Sequence, residues 1–211
     1  MSHQPNILPG ERFNFTGEVH SLLEQVGSAD KTVSLASVFP QLWEMTSLAS
    51  LQQFLRIYRS QVLFPLELPA IHRAFGHACR HECRELIALD QALSNETKLR
   101  DLAAASQSVG ALHLRHLRPL RDHRLVQRYI QAIDDGQALG WHTLVYGVTL
   151  AVYSIPARQG LIAYATQTFG GFVEAAACRL HLLPEDCDAI VAEELADLPS
   201  RVEELLAPFV V

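Results

Sequence analysis

The stretch GQALGWHTLVYGVTLAVYSIPARQGLIAYATQTFGGFV, Gly136 to Val173, holds one formally charged residue, Arg158, in its 38 positions. Its first part, Gly136 to Ala157, is long enough to test as a membrane span. It contains Gln137, His142, Thr143, Tyr146, Thr149, Tyr153 and three glycines, and lacks the Leu/Ile/Phe density that insertion requires. What remains is a helix apolar nearly all round, which belongs in a core or at a subunit interface. Pro156 then opens a second helix, because the missing proline N–H does no harm in a first turn. This helix runs through Leu161, Ile162, Tyr164, Ala165, Phe169, Phe172, Val173, Ala176 and Ala177. Gly170 and Gly171 inside it each cost about 1 kcal/mol relative to alanine. Close helix packing or a local break would account for that cost.

Working outward, helical periodicity continues. Leu48 to Val62 places Leu51, Phe54, Leu55 and Tyr58 on one face, and Leu68 to Leu93 places Ile71, Phe75, Ala78, Leu86, Leu89 and Leu93 on one stripe. Ser94 or Asn95 is suited to cap a helix through Leu99, Leu102, Ala103, Ser106, Val109 and Gly110. His123 to Ile133 reads as a short amphipathic helix. Pro184, Glu185 and Asp186 make an acidic helix start, and Val191 to Leu206 continues helical. Apolar and polar residues do not alternate over any strand-length run. The expected fold is all-α: a single domain over residues 1–211, a bundle of about eight to ten helices, with residues 1–17 a flexible or partner-ordered segment.

Composition bounds the function. The chain has 211 residues, 49% hydrophobic and 19% charged, against about 25% charged in an ordinary soluble domain. The shortage of charge suggests apolar surface hidden against a second copy of the chain, and a homodimer is expected. The net charge is -6 and basic residues form no concentrated block, which disfavours a phosphate-backbone partner. Neither a membrane nor a nucleic-acid partner is expected. Cys79, Cys83, Cys178 and Cys187 form no CxxC pair and no signal peptide opens the chain, so a cytoplasmic protein with reduced thiols is the expectation.

The densest chemistry is HRAFGHACRHEC, with His72, His77, Cys79, His81 and Cys83. On one continuous helix, His72, Cys79 and Cys83 would share a face and His77 with His81 another, giving two incomplete sites. A zinc site needs four converging ligands, so no metal is assigned, with His77 and His81 the candidates for a weak divalent site. His142, in the charge-poor stretch, is expected as a neutral, hydrogen-bonded core histidine. GxSxG, HExxH, Walker A and GxGxxG motifs are absent, and Glu193–Glu194 and Asp134–Asp135 are neighbours that diverge on a helix. No catalytic group and no cofactor is assigned.

Several separated stretches resemble UreF, the urease accessory protein family. Leu8, Pro9 and Phe13 match its LPxGGF signature, with Thr16 in place of serine. Arg100, Asp101, Ser106 and Gly110 echo RExRxxSxxxG. His142, Val145, Tyr146 and Gly147 match HxPVVFGV, and Val173, Ala176, Ala177, Arg179, Leu180 and Leu183 match LVxAAVRLxPLG. The matches are collinear and cover most of the chain. The departures are Glu11 and Arg12 for a Gly-Gly turn, His20 for a glutamate, Ala103 for an arginine, Thr143 for a proline, and Leu183-Pro184-Glu185 for the LGQ step. Losing glycine where the backbone needs positive φ implies a reshaped N-terminal turn.

The resemblance implies an all-helical, dimeric, non-enzymatic scaffold. Such proteins bind the accessory protein UreH, also called UreD, and the GTPase UreG, an assembly that delivers nickel to apo-urease. It also implies partner or dimer contacts at Phe13, His142, Tyr146 and Arg179.

Overall fold

A computed structural model of the chain describes residues 39–207. The N-terminal segment 1–17, including Phe13 and its motif, lies outside the described residues. Those that are described form helices and no strand: α1 (Pro40–Glu44), α2 (Leu48–Tyr58), a π-helical segment (Arg59–Glu67), α3 (Leu68–Cys79), α4 (Cys83–Ser94), a 3₁₀ turn (Thr97–Leu102), α5 (Ala103–Leu117), α6 (Arg124–Asp134), α7 (His142–Val152), α8 (Ala157–Leu180), α9 (Pro184–Glu194) and α10 (Leu198–Leu206). The all-α reading holds.

The charge-poor stretch is the centre of this arrangement. In α7 every residue from His142 to Leu150 is buried, and the helix is packed against α3, α5 and α8. Two glycines permit that enclosure. A methyl built on Gly147 would lie 2.5 Å from the Ile71 carbonyl oxygen of α3, and one on Gly110 of α5 would collide with the Gly140 carbonyl just before α7. Helix α8 starts directly after Pro156, runs unbroken through Gly170 and Gly171, and packs against α1, α2, α9 and α10. A methyl on Gly170 would meet nothing within 4 Å, so packing among the described residues does not explain that glycine. Phe39, Phe54, Tyr58 and Phe172 fill the α2–α8 contact, with the Tyr58 and Phe172 ring centres 4.8 Å apart.

Three continuous helices of the sequence reading are interrupted. The Leu68–Leu93 stripe turns a corner at Arg80–Glu82, where His81 takes the left-handed conformation at φ 58°. The Glu82 N–H bonds back to the His77 carbonyl at 2.8 Å and the His81 N–H to that of Ala78 at 3.1 Å, closing the end of α3. Ser94 is spent inside the last turn of α4, donating to the Asp90 carbonyl, so Glu96 rather than Ser94 or Asn95 heads the next element, which is first a 3₁₀ turn. Val191–Leu206 breaks at Leu195–Asp197, because Pro199 fits only the first turn of a new helix.

The π-helical segment has a cause in the sequence. Pro65 has no N–H to complete an ordinary helical turn, and its ring crowds the carbonyl four residues back. The wider winding persists to its end, where the Leu68 N–H bonds to the Leu63 carbonyl, five residues back. Arg56 and Arg59 fasten this part to α9: Arg56 Nε donates to the buried Glu194 carboxylate at 3.1 Å, and Arg59 Nη1 donates to the Glu194 carbonyl.

Candidate functional site

The wide segment delivers an acid into the core. Glu67 is its last residue and is buried, together with Tyr58 at the end of α2, Ser106 on α5, His142 at the start of α7 and Tyr164 on α8. These five side chains form one polar chain across the helix crossing, with Glu67 Oε1 3.9 Å from His142 Nε2 and the Tyr164 hydroxyl acting on the Glu67 carboxyl. The Tyr58 hydroxyl donates to Glu67 Oε1 at 2.8 Å. Tyr164 Oη is 2.6 Å from His142 Nε2, and Ser106 Oγ is 2.7 Å from His142 Nδ1 while accepting from the His142 backbone N–H at 3.0 Å.

The polarity of the chain follows from counting donors. Burial holds the His142 imidazole down to about 3, so it is neutral and carries one N–H. With Ser106 Oγ already accepting the backbone N–H, its own proton goes to Nδ1. Nε2–H then donates to Tyr164 Oη, which frees the Tyr164 proton for Glu67. The opposite tautomer leaves the serine proton unused and takes a donor from Glu67, so the Nε2–H form satisfies more groups.

Glu67 remains the weak point. Burial pushes its carboxyl up to about 7, with the Tyr58 and Tyr164 hydroxyls pulling the other way, and its Oε2 has no hydrogen-bond partner among the described residues. His113 on α5 is a second buried imidazole, held down to about 4 by burial and by His116, with Nδ1 unpartnered among the described residues.

A second acid anchors the approach to α7. Asp90 of α4 is fully buried and accepts from the Tyr129 hydroxyl at 2.6 Å and from the backbone N–H groups of Leu139, Gly140 and Trp141 at 2.6, 3.0 and 3.3 Å. The turn into α7 is thus held by one carboxylate. Trp141 Nε1 adds a bond to Ser94 Oγ at 2.9 Å.

Sequence-based candidates divide sharply by location. His142 is the neutral core histidine expected. Tyr146 is buried beside it, its hydroxyl donating to the Gly160 carbonyl at 2.9 Å, so both side chains are enclosed by the chain itself. Arg179 is exposed in the last turn of α8. His77 does not share a helix face with His81, because the corner at Arg80–Glu82 separates them. His77 Nδ1 is instead 2.8 Å from Glu82 Oε2, and Arg80 and His77 together hold the Glu82 carboxyl down to about 2. Among the described residues no three His, Cys, Asp or Glu side chains are grouped so as to hold a metal ion, and no helix is long and apolar enough to cross a membrane.

Sequence reasoning missed Tyr58, Glu67, Asp90 and Tyr164 as a set. The available signal was an acid on an apolar stripe. Glu67 stands four residues from both Leu63 and Ile71, and Asp90 stands between Leu86 and Leu93, positions that a core-facing helix normally fills with hydrocarbon.

Residues 45–192 match the family model described as UreF, a span running from just before α2 through most of α9. The chain is also similar to the urease accessory protein UreF of Actinobacillus pleuropneumoniae, 22% identical over 170 residues, which cover 81% of this chain and 75% of that protein.

Proposed function

The chain belongs to the UreF family of urease accessory proteins, and we propose that it acts as a scaffold in urease maturation. In this reading a homodimer in the cytoplasm holds a UreH/UreD-like protein and a UreG-like GTPase together while nickel passes to apo-urease. The family match carries the reading, because it spans the α2–α9 body in which the whole buried crossing lies.

The physical character of the chain supports a role without chemistry of its own. Its acids and histidines at the crossing are tied to one another inside the core. A scaffold couples nucleotide state to cargo release through unequal affinity for two states of its partner, about 1–3 kcal/mol, and needs no catalytic group. Surface for partners is present on α1 and α2, where Trp43, Leu48 and Ile57 are exposed, tryptophan being a residue that concentrates binding energy at interfaces. Arg179, exposed in the last turn of α8, offers a second point of contact.

Co-purification tests the reading. Full-length tagged chain should capture both the UreH/UreD-like and the UreG-like proteins and raise nickel-dependent activation of apo-urease. Failure to bind either one, under conditions where another family member binds both, overturns it.

A further inference from the structure

The corner that separates His77 from His81 also builds a cavity. It lies where the α3–α4 corner meets the start of α6, has a volume of about 420 Å³, and is lined by His81, Cys83, Asp122, His123, Arg124 and Arg128. That volume is in the range of small-molecule pockets, roughly 300–1,000 Å³. His81 projects into it from the left-handed turn, and its ring centre is 6.0 Å from that of His123.

The lining holds polar groups that have no partner among the described residues. His123 Nδ1 is buried and has no hydrogen-bond partner among the described residues. Arg124 and Arg128 form no ion pair with any described residue, unlike Arg80 and Arg118, which face Glu82 at 2.8 Å and Asp134 at 2.7 Å. Burial pushes the Cys83 thiol up, with the Arg128 charge pulling the other way and Glu85 adding to the rise. Among the described residues Asp122 is the one carboxylate on the cavity wall, and neither arginine lies within ion-pair distance of it.

We propose that this cavity binds a small oxyanion, a phosphate group, between the Arg124 and Arg128 guanidiniums with His81 and His123 as further donors. A cation fits the wall poorly, because two guanidiniums line it and no three ligands are grouped for a metal among the described residues. Guanidinium recognises phosphate through paired, charge-assisted hydrogen bonds, and both arginines have that capacity unused. Asp122 repels the same anion, which makes it a diagnostic residue.

The test is calorimetric titration of the full chain, at constant ionic strength, with inorganic phosphate and separately with AMP. Saturable binding of at least one is expected. It should weaken roughly tenfold or more in Arg124→Ala/Arg128→Ala, the loss of charge-assisted bonds being worth at least that factor. It should tighten in Asp122→Asn, an effect that a merely structural role for these residues would not give. The tighter of the two ligands separates free phosphate from a phosphomonoester as the source. Thermal melts establish that each variant is folded, and His123→Ala provides an independent weakening variant if the double substitution does not fold. No saturable binding of either ligand, or binding that these substitutions leave unchanged, overturns the proposal.

Discussion

Glu67→Gln isolates the least satisfied group in the core. The substitution keeps the shape and an acceptor for the Tyr58 hydroxyl while removing the ability to ionise. In the folded chain the carboxyl is raised from 4.5 to about 7, because burial penalises the charged form more than the two tyrosine hydroxyls favour it. A raised acid stabilises the fold fully below the unfolded value, and that contribution is lost as pH rises through about 7. The gap, at about 1.4 kcal/mol per tenfold change in proton affinity, amounts to about 3 kcal/mol. The stability of wild type relative to the glutamine variant should therefore fall by about 3 kcal/mol between pH 4.5 and pH 8, the histidine contributions being common to both. The amide adds its own penalty at the unpartnered Oε2 position, about 1–3 kcal/mol, but this is the same at every pH and cancels from the comparison. Urea unfolding of both proteins from pH 4.5 to 8.5 reads the difference directly. Two stability curves that stay parallel across this range would refute the assignment of a raised, buried carboxyl at Glu67.

The same geometry yields further expectations. Gly147→Ala should destabilise by about 3 kcal/mol, since the added methyl meets the Ile71 carbonyl at 2.5 Å, whereas Gly170→Ala should stabilise by about 1 kcal/mol, its methyl entering open space; thermal melts compare the two. Asp90→Asn should cost about 3 kcal/mol in urea unfolding, because the amide cannot accept from Tyr129 and three backbone N–H groups as a carboxylate does. Stability should also fall as pH drops from 6.5, because His113, held to about 4, and His142, held to about 3, take up protons only when the chain unfolds. His113→Leu should remove about 3 kcal/mol of that acid loss, and an acid limb that His113→Leu leaves unaltered would count against the buried neutral imidazole.

Period and punctuation made the helices legible. Pro156 and Pro184 marked real starts, and the single-charge stretch marked the central helix, because enclosure on every side removes any reason for charge. The corners were less visible. His81 terminates α3 in a left-handed conformation that glycine or asparagine usually signals, so a stripe continuing through Ala78 and Leu86 looked unbroken. The buried chain was only half legible. His142 was legible as a core histidine and Ser106 and Tyr164 as helix positions, while Glu67 went unread and the convergence of the four is supplied only by the tertiary fold. Local patterns report which face of a helix is buried and do not report what it is buried against.

That distinction bears on where partner recognition should be sought. Of the residues carrying the resemblance within residues 39–207, Ser106, Gly110, His142 and Gly147 lie at the α5–α7 and α3–α7 crossings and Tyr146 at the α7–α8 contact, where they bond or make room for backbone. Their retention preserves a way of packing helices, so substituting them perturbs the fold before it perturbs any interface. Among the departures, Thr143 is buried beside His142 in α7, whereas the LGQ step lies at the surface. Leu183, at the former LGQ step, is 56% exposed beside the start of α9, and Trp43 is equally exposed on α1. A change that buries nothing and bonds nothing within the chain is free to follow a partner. Substitutions that separate binding from stability should therefore be made at Trp43, Ile57, Arg179 and Leu183: a loss of partner capture with an unchanged melting temperature would place the interface there, and capture unaffected by all four would move it to the N-terminal segment.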